Sequence, residues 1–186
     1  MNQKLTEPCK IECINGIDIV MMSPPFSNHN TVKENIFGIF YLYLRGNICL
    51  PKGDNSKLVL CDDSYVIPDF FVVCDRSVIR KDGIYGVPPL IVEVLSPITA
   101  KYDKGDKKEL YQRCGVKEYW LIEPDLRQIE VYILEKSVYL LDNLYRFPDE
   151  LESEEDKSVA IAQFTSFVFP NLLIQLEDVF QNVIDW

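Results

Sequence analysis

The sequence predicts one α/β domain over residues 1–186, with a mixed β-sheet flanked by helices and an N-terminal β-hairpin. Residues 89–97 (PLIVEVLSP) are a short aliphatic run between prolines, which is typical of a buried central strand. Residues 29–45 carry apolar side chains at helical spacing, which predicts an amphipathic helix. The chain has 186 residues, of which 47% are hydrophobic, so it can bury one substantial core but is short for two domains.

The predicted strands are short apolar or alternating segments separated by turn residues. Asn15-Gly16 is a strong two-residue turn signal and predicts a hairpin between the first two strands. In chain order, strands are predicted at residues 10–14, 17–22, 48–50, 58–60, 66–73, 90–95, 118–122, 128–134, 138–147 and 159–169. Loops are predicted at residues 51–56, 75–87, 96–104 and 149–157, the last of them strongly acidic.

Helices are predicted at residues 29–45, 105–114 and 172–180. Ser27 or Asn28 can act as the N-cap of the first helix, because both side chains accept hydrogen bonds from free N–H groups of the first turn. Gly46 and Gly115 follow the first two helices, and glycine at this position commonly ends a helix.

Charge and segment composition restrict the function classes. The formal net charge of −10 argues against a broad nucleic-acid-binding surface but allows a local basic channel. Basic residues cluster shortly after residue 93, namely Lys101, Lys104, Lys107, Lys108 and Arg113. No secretory signal is visible, and the longest apolar stretches, residues 36–44 and 90–95, are too short to span a bilayer. We therefore expect a cytoplasmic protein without a membrane partner.

The six cysteines have irregular spacing, and only Cys9 and Cys13 are close together in sequence. A structural zinc site needs four Cys or His ligands, usually as two short-spaced pairs, and the sequence has no second pair. In a cytoplasmic protein we expect these cysteines to be reduced thiols that serve mainly as packing residues.

Two acidic residues lie inside runs that are otherwise apolar, Asp69 within residues 66–73 and Glu93 within residues 90–95. A buried carboxylate is unfavourable unless a cation, a metal or hydrogen-bond donors compensate it. If the two strands are neighbours, Asp69 and Glu93 converge on one cation. Mg²⁺ suits such a pair, because it binds few carboxylates and keeps water and phosphate ligands. The alternative is that each acid only accepts hydrogen bonds from backbone or lysine donors.

Lys107 is the cation that we expect beside these acids. On the predicted second helix Lys107 shares the apolar face with Leu110 and Tyr111, whereas Lys108 points away from it. Its ammonium group can orient an attacking water and offset the charge that develops on a scissile phosphate. The alternative is a structural ion pair between Lys107 and Glu93 that takes part in no chemistry.

Three further polar residues are candidates for the site. His29, the only histidine, lies on the apolar face of the first helix and is a candidate proton carrier or supporting donor. The alternative is that His29 is only a polar group at the start of the helix. Glu34 lies roughly opposite that face, which disfavours it as a third acid. Asp103 is explained as the N-cap of the second helix, with Asp106 completing a capping box.

Several of these segments match one family in combination. They are, in order, Met22-Ser23-Pro24 with His29, Pro68-Asp69, residues 91–97 (IVEVLSP), residues 103–107 (DKGDK), Tyr111, Gly115-Val116, residues 118–120 (EYW) and residues 172–180. The chain resembles the bacterial "putative restriction endonuclease" family within the PD-(D/E)XK nuclease superfamily. The resemblance covers most of the chain, and it is the combination of pieces that makes it specific.

The resemblance implies a restriction-endonuclease-like core and Mg²⁺-dependent (or Mn²⁺-dependent) hydrolysis of phosphodiester bonds, in DNA, often by a homodimer. Asp69 matches the acid of the superfamily's Pro-Asp pair, and Glu93 matches its second acid. Leu95 stands where the superfamily usually has lysine, and the family places this lysine on the following helix, at the position of Lys107.

The leading hypothesis assigns Asp69, Glu93 and the Val94 carbonyl to the metal, and it assigns Lys107 and His29 to catalysis beside the two acids. A rival hypothesis is a catalytically inactive protein that kept the nuclease fold as an interaction or nucleic-acid-binding module. The strong acidity supports this rival, because it repels a polyanion. A third hypothesis is a metal-dependent hydrolase of a small phosphorylated molecule.

Overall fold

The computed structural model describes residues 10–21, 27–61, 64–147 and 162–185. The strands are β1 (Lys10–Ile14), β2 (Ile17–Met21), β3 (Leu50–Gly53), β4 (Leu58–Val59), β5 (Tyr65–Val66), β6 (Phe70–Val73), β7 (Ile84–Tyr85), β8 (Leu90–Val94), β9 (Glu118–Glu123), β10 (Gln128–Glu135), β11 (Val138–Arg146), β12 (Gln163–Thr165) and β13 (Leu173–Gln175). The helices are α1 (Ser27–Tyr43), α2 (Ala100–Lys104), α3 (Asp106–Cys114) and α4 (Leu176–Val179), with a 3-10 turn at Arg76–Val78. No helix in these ranges is both long and apolar enough to cross a membrane.

A six-stranded sheet in the order β11-β10-β9-β8-β6-β3 forms the centre of the described fold. β8 and β9 are parallel, and the other neighbouring strands are antiparallel, so the sheet is mixed. α1 packs on one face, where the ring of Phe40 lies 4.9 Å from that of Phe70 and 5.9 Å from that of Trp120. α3 packs on the opposite face, where Tyr111 and Tyr119 are buried. The predicted mixed sheet with flanking helices is confirmed.

A five-stranded sheet in the order β2-β1-β5-β4-β7 shares the core on the α3 side of the central sheet. Its first two strands are the predicted N-terminal hairpin, with Ile14 opposite Ile17. Asn15 and Gly16 have φ angles of 55° and 76°, which are the positive values that a two-residue turn of this kind requires. The hairpin prediction is therefore confirmed over the described residues.

The predicted strand over residues 66–73 is divided in two. β5 ends at Val66 and belongs to the small sheet, whereas β6 begins at Phe70 and belongs to the central sheet. Pro68 lies between them, and a proline has no N–H to donate to a strand ladder. Asp69 is consequently the residue immediately before β6 rather than a residue within a strand.

Residues 96–104, predicted as a loop, contain the helix α2, whose N-cap is Thr99. Asp103 therefore lies inside a helix, where it is buried, and the prediction that it is an N-cap is wrong. Asp103 precedes Lys107 by four residues and forms an ion pair with it at 3.2 Å. The need to neutralise the buried lysine explains the position of Asp103 better than capping does.

The C-terminal helix predicted over residues 172–180 is instead β13 followed by the single turn α4. β13 pairs with β12, and this pairing outweighs a helical pattern that is short and ambiguous in sequence. Within the predicted strand at residues 159–169, the strand found is Gln163–Thr165, and residues 159–161 lie outside the described residues. The predicted acidic loop at residues 149–157 also lies outside them.

Two shorter predictions are shifted. The strand predicted at residues 48–50 lies at Leu50–Gly53 and includes Pro51, which is tolerated because β3 is an edge strand of its sheet. The loop predicted at residues 75–87 contains the 3-10 turn and the short strand β7, which pairs with β4.

The prediction of reduced cysteines is contradicted by two disulfides. Cys49 is bonded to Cys74 with a Cα–Cα distance of 3.9 Å, and Cys61 is bonded to Cys114 at 5.5 Å. The register of β3 and β6 pairs Leu50 with Val73, so Cys49 and Cys74 directly face each other beyond the ends of the strands. The bonded cysteines are 25 and 53 residues apart, so only the tertiary fold brings them together. Cys13 is free.

Glu118, at the start of β9, is fully buried and connects the central sheet to the C-terminal segment. Its Oε1 accepts hydrogen bonds from the indole N–H of Trp120 at 2.8 Å and the amide of Phe167 at 3.1 Å. Its Oε2 accepts from the hydroxyl of Ser166 at 2.6 Å and the amide of Val168 at 2.9 Å. Because these four donors satisfy the carboxylate, we interpret Glu118 as a structural residue.

Replacing Glu118 by glutamine is expected to lower the free energy of unfolding by about 2 kcal/mol, because the amide loses charge-assisted hydrogen bonds and turns an N–H₂ group toward donors. Urea denaturation of the two proteins measures this difference. Glu135→Gln is a suitable control, because Glu135 is exposed at the end of β10. Equal unfolding midpoints for Glu118→Gln and the unchanged protein would contradict the structural role.

Candidate active site

Asp69, immediately before β6, lies beside Glu93 of the neighbouring strand β8. The antiparallel register of β6 and β8 pairs Phe70 with Val92, which brings Asp69 next to Glu93. The amide of Asp69 donates to Oε2 of Glu93 at 3.2 Å, and the amide of Val94 donates to Oδ2 of Asp69 at 2.9 Å. The Asp69 side chain is 15% exposed, whereas Glu93 is only 1% exposed. The two acids that the sequence singled out therefore meet, with Asp69 on the solvent side.

His29 lies in the first turn of α1 and contacts the same acid. Its Nε2 is 3.2 Å from Oδ2 of Asp69. Burial by itself lowers the pKa of His29, but the hydrogen bond and charge of Asp69 outweigh this and raise it. Burial would likewise raise the pKa of Asp69, but the hydrogen bond from His29 and the charges of His29 and Lys107 lower it. The pair therefore keeps Asp69 ionised and orients its carboxylate.

Lys107, near the start of α3, points inward as predicted and is surrounded by three carboxylates. Its Nζ is 3.1 Å from Oε1 of Glu93, 3.2 Å from Oδ1 of Asp103 and 3.3 Å from Oε2 of Glu12. Lys108, by contrast, turns away from this cluster, and its Nζ lies 3.3 Å from the centroid of the Tyr132 ring.

The charges in this cluster shift the ionisation of its members strongly. Burial by itself lowers the pKa of Lys107, but Glu93, Asp103 and Glu12 outweigh it, so this pKa lies well above its usual value. The pKa of Glu93 lies well above its usual value, chiefly because of burial. The charge of Lys107 lowers this pKa, but the negative charges of the neighbouring acids raise it further. These neighbouring carboxylates therefore favour the protonated ammonium form of Lys107.

Tyr111, one turn after Lys107 on α3, donates its hydroxyl proton to Oε1 of Glu93 at 2.7 Å. Glu93 therefore receives three donors, namely the hydroxyl of Tyr111, the ammonium of Lys107 and the amide of Asp69. Leu95, which stands where the superfamily usually has lysine, is buried in the core on the α3 side. Lys107 thus reaches Glu93 from the helix instead of from the strand.

The sequence interpretation missed Glu12, which lies on β1 and is 2% exposed. A signal for it exists, because alternation along the hairpin strand places Glu12 and the core residue Ile14 on the same face. Glu34 is exposed, as the helical wheel predicted. Asp103 was noticed in the sequence but was assigned a capping role.

A cavity of about 490 Å³ opens beside His29. Its walls come from the start of α1, the segment after β8 and the end of β9, and they include Ser96, Pro97 and Glu123. Burial and the neighbouring Asp125 raise the pKa of Glu123. The cavity reaches His29, which contacts Asp69.

The donor set can be tested against the metal that the resemblance implies. Among the described residues, no group of three or more His, Cys, Asp and Glu side chains is arranged to hold a metal by itself. Asp69 and Glu93 supply two carboxylates. The amide of Asp69 donates to the Glu93 carboxylate, and the amide of Val94, next to Glu93, donates to the Asp69 carboxylate. This set fits a hard cation that takes the rest of its ligands from water and substrate, as Mg²⁺ does.

The central mixed sheet has one acid on β8, a second just before the neighbouring β6, and a lysine behind them, and this arrangement belongs to the restriction-endonuclease-like class of folds. Residues 2–162 match the family model Uma2, described as "Putative restriction endonuclease", and the chain belongs to this family.

The chain is also similar to two relatives and to one solved structure. The chain is 27% identical over 156 residues to "Uncharacterized protein slr1290" of Synechocystis sp. (strain ATCC 27184 / PCC 6803 / Kazusa), covering 83% of this chain and 80% of that protein. It is 28% identical over 127 residues to "Uncharacterized protein sll1609" of the same strain, covering 66% of this chain and 71% of that protein. The fold is similar to the crystal structure of "a putative nuclease belonging to DUF820" from Anabaena variabilis ATCC 29413, with a TM-score of 0.71, 18% identity, and coverage of 94% of this chain and 91% of that one.

Proposed function

We propose that the protein is a Mg²⁺-dependent nuclease that hydrolyses phosphodiester bonds in DNA. The observation that carries the proposal is the mutual contact of Asp69 and Glu93, with the ammonium of Lys107 3.1 Å behind Glu93. Family membership supports a nuclease. The proposal includes action as a homodimer in the cytoplasm, which the resemblance to this family motivates.

In this proposal Asp69 and Glu93 hold Mg²⁺ or Mn²⁺, with the Val94 carbonyl as a further ligand. The bound cation would polarise the phosphate and make a coordinated water more acidic. Lys107 keeps its proton, offsets negative charge that accumulates on the phosphate and orients the attacking water. His29 donates a hydrogen bond to Asp69 and so fixes the direction of that carboxylate.

DNA must approach a protein whose net charge is −10, so local basic residues have to receive it. Lys101 and Lys104 are exposed on α2, and the neighbouring Ala100 lines the cavity beside His29. We propose that the DNA backbone crosses this part of the surface. Binding should then weaken steeply as the salt concentration rises.

The purified protein is expected to nick supercoiled plasmid DNA with Mg²⁺ or Mn²⁺ and to lose this activity in EDTA. Calorimetric titration with Mn²⁺ should show micromolar to millimolar binding that Glu93→Gln removes, because the amide is a poor ligand for a hard cation. Glu109→Gln is the matched control on the exposed side of α3. Nicking that persists in EDTA would contradict the metal dependence.

A second candidate is a non-catalytic interaction or nucleic-acid-binding module with the same fold. The observation that favours it is the satisfaction of Glu93 by the donors of Lys107, Tyr111 and Asp69, since a carboxylate with three donors does not require a cation. Absence of Mn²⁺ binding by the unchanged protein, together with intact folding, would favour this candidate over the nuclease.

A further inference from the structure

Glu12 is a buried carboxylate to which the mechanism proposed above gives no role. It lies on β1 in the small sheet, whereas Glu93 belongs to the central sheet and Asp69 lies just before the central strand β6. Its exposure is only 2%. An ionised group buried to this extent is costly unless it is paired and hydrogen-bonded. The contacts of Glu12 therefore indicate what it does.

One oxygen of Glu12 holds the segment that carries Asp69. Its Oε1 accepts a hydrogen bond from the amide of Ile67 at 2.8 Å. Ile67 lies two residues before Asp69, in the break between β5 and β6, where no strand ladder fixes the chain. Pro68 follows directly and has no N–H of its own. Glu12 thus supplies a fixed point to a segment that the sheets leave unpaired.

The other oxygen of Glu12 faces the catalytic lysine. Its Oε2 lies 3.3 Å from Nζ of Lys107, and no hydrogen bond to this oxygen is present within the described part of the chain. An ammonium group has three N–H donors, and three acids, Glu12, Glu93 and Asp103, surround this one. Glu93 accepts a hydrogen bond from this ammonium, whereas Glu12 and Asp103 hold it by ion-pair contacts from two other elements.

We propose that Glu12 is a positioning residue of the nuclease site, which holds the Lys107 ammonium and the segment of residues 67–69 in their working arrangement. This inference rests on the proposed nuclease function. It makes the N-terminal hairpin a part of the site, although the hairpin contributes no group that touches the substrate.

Glu12→Gln tests the proposal with little change in shape. The amide oxygen can still accept the hydrogen bond of Ile67, and an N–H₂ group then faces Lys107 in place of the charged oxygen, so the attraction to the ammonium is lost. We expect kcat for plasmid nicking to fall roughly 10²-fold with KM for DNA within about twofold, because a small displacement of a catalytic group costs this much. The matched control is Asp18→Asn, an exposed acid on the same hairpin, which should leave both constants unchanged.

The conservative variant Glu12→Asp keeps the charge but shortens the side chain. Its kcat should lie between those of the unchanged protein and Glu12→Gln, at least roughly threefold below the former. A merely structural role predicts instead that activity follows the fraction of folded protein. If Glu12→Gln does not fold, Glu12→Asp alone decides. An unchanged kcat in the folded variants would overturn the proposal.

A measurement on the metal-free protein separates this proposal from the proposed function. The buried Lys107 ammonium should give a slowly exchanging cross-peak in a ¹H–¹⁵N spectrum of the side-chain ammonium groups, assigned with Lys107→Arg. We expect Glu12→Gln to broaden or remove this cross-peak while the backbone amide spectrum is retained. If the unchanged protein cleaves no DNA, the nuclease proposal fails. An unaltered Lys107 cross-peak in Glu12→Gln would overturn the positioning role of Glu12, whether or not the protein cleaves DNA.

Discussion

Asp69→Asn is expected to lower the rate of Mg²⁺-dependent DNA nicking by at least about 10³-fold, which corresponds to roughly 4 kcal/mol of transition-state stabilisation. Asp69 is the more exposed member of the acid pair, and its pKa is lowered because His29 outweighs the effect of burial. It is therefore the carboxylate that is both ionised and accessible to a cation. An asparagine keeps the size of the side chain but removes its charge.

The fold should survive this change, because the amide oxygen of asparagine can still accept the hydrogen bond from the amide of Val94. Circular dichroism and the thermal midpoint should stay close to those of the unchanged protein. Asp75→Asn is the matched control, since Asp75 is exposed and caps the 3-10 turn, a role that asparagine also fills. Nicking by Asp69→Asn at the rate of the unchanged protein would rule out the assignment of Asp69.

The parts of the site that the sequence predicted are those with a local signal. Asp69 and Glu93 are recognisable because each interrupts an apolar run, and Lys107 because helical periodicity turns it toward Leu110 and Tyr111. The one added assumption was that the two strands are neighbours, and the register of β6 with β8 confirms it. The roles of these residues in metal binding and catalysis stay predictions until they are measured.

The remaining parts depend on long-range contacts that no local pattern contains. Glu12 reaches Lys107 only because β1 pairs with β5 and brings a second sheet against α3. The disulfide between Cys61 and Cys114 likewise joins the segment after β4 to the end of α3. The wrong prediction at Asp103 has a different cause. An acid close before a helix is commonly an N-cap, but the charge of the buried Lys107 determines where Asp103 lies.

Lys107→Met should destabilise the fold by about 3–5 kcal/mol, because it leaves the carboxylates that surround the ammonium buried without a cation. Methionine has a similar length, so a cavity contributes little. Urea denaturation measures the change. Lys108→Met, at the next position of α3, should cost under about 1 kcal/mol, since it loses a contact with the Tyr132 ring and a partly exposed attraction to Glu130.

A second substitution separates charge from packing as the cause. If uncompensated charge is responsible, Lys107→Met combined with Glu12→Gln should be more stable than Lys107→Met alone, because one buried negative charge is removed with little change in volume. If packing is responsible, the second substitution should leave the loss of folding stability unchanged or increase it. The first result would mean that the three acids around Lys107 make the fold depend on it, so that the cation proposed for catalysis is at the same time a structural one.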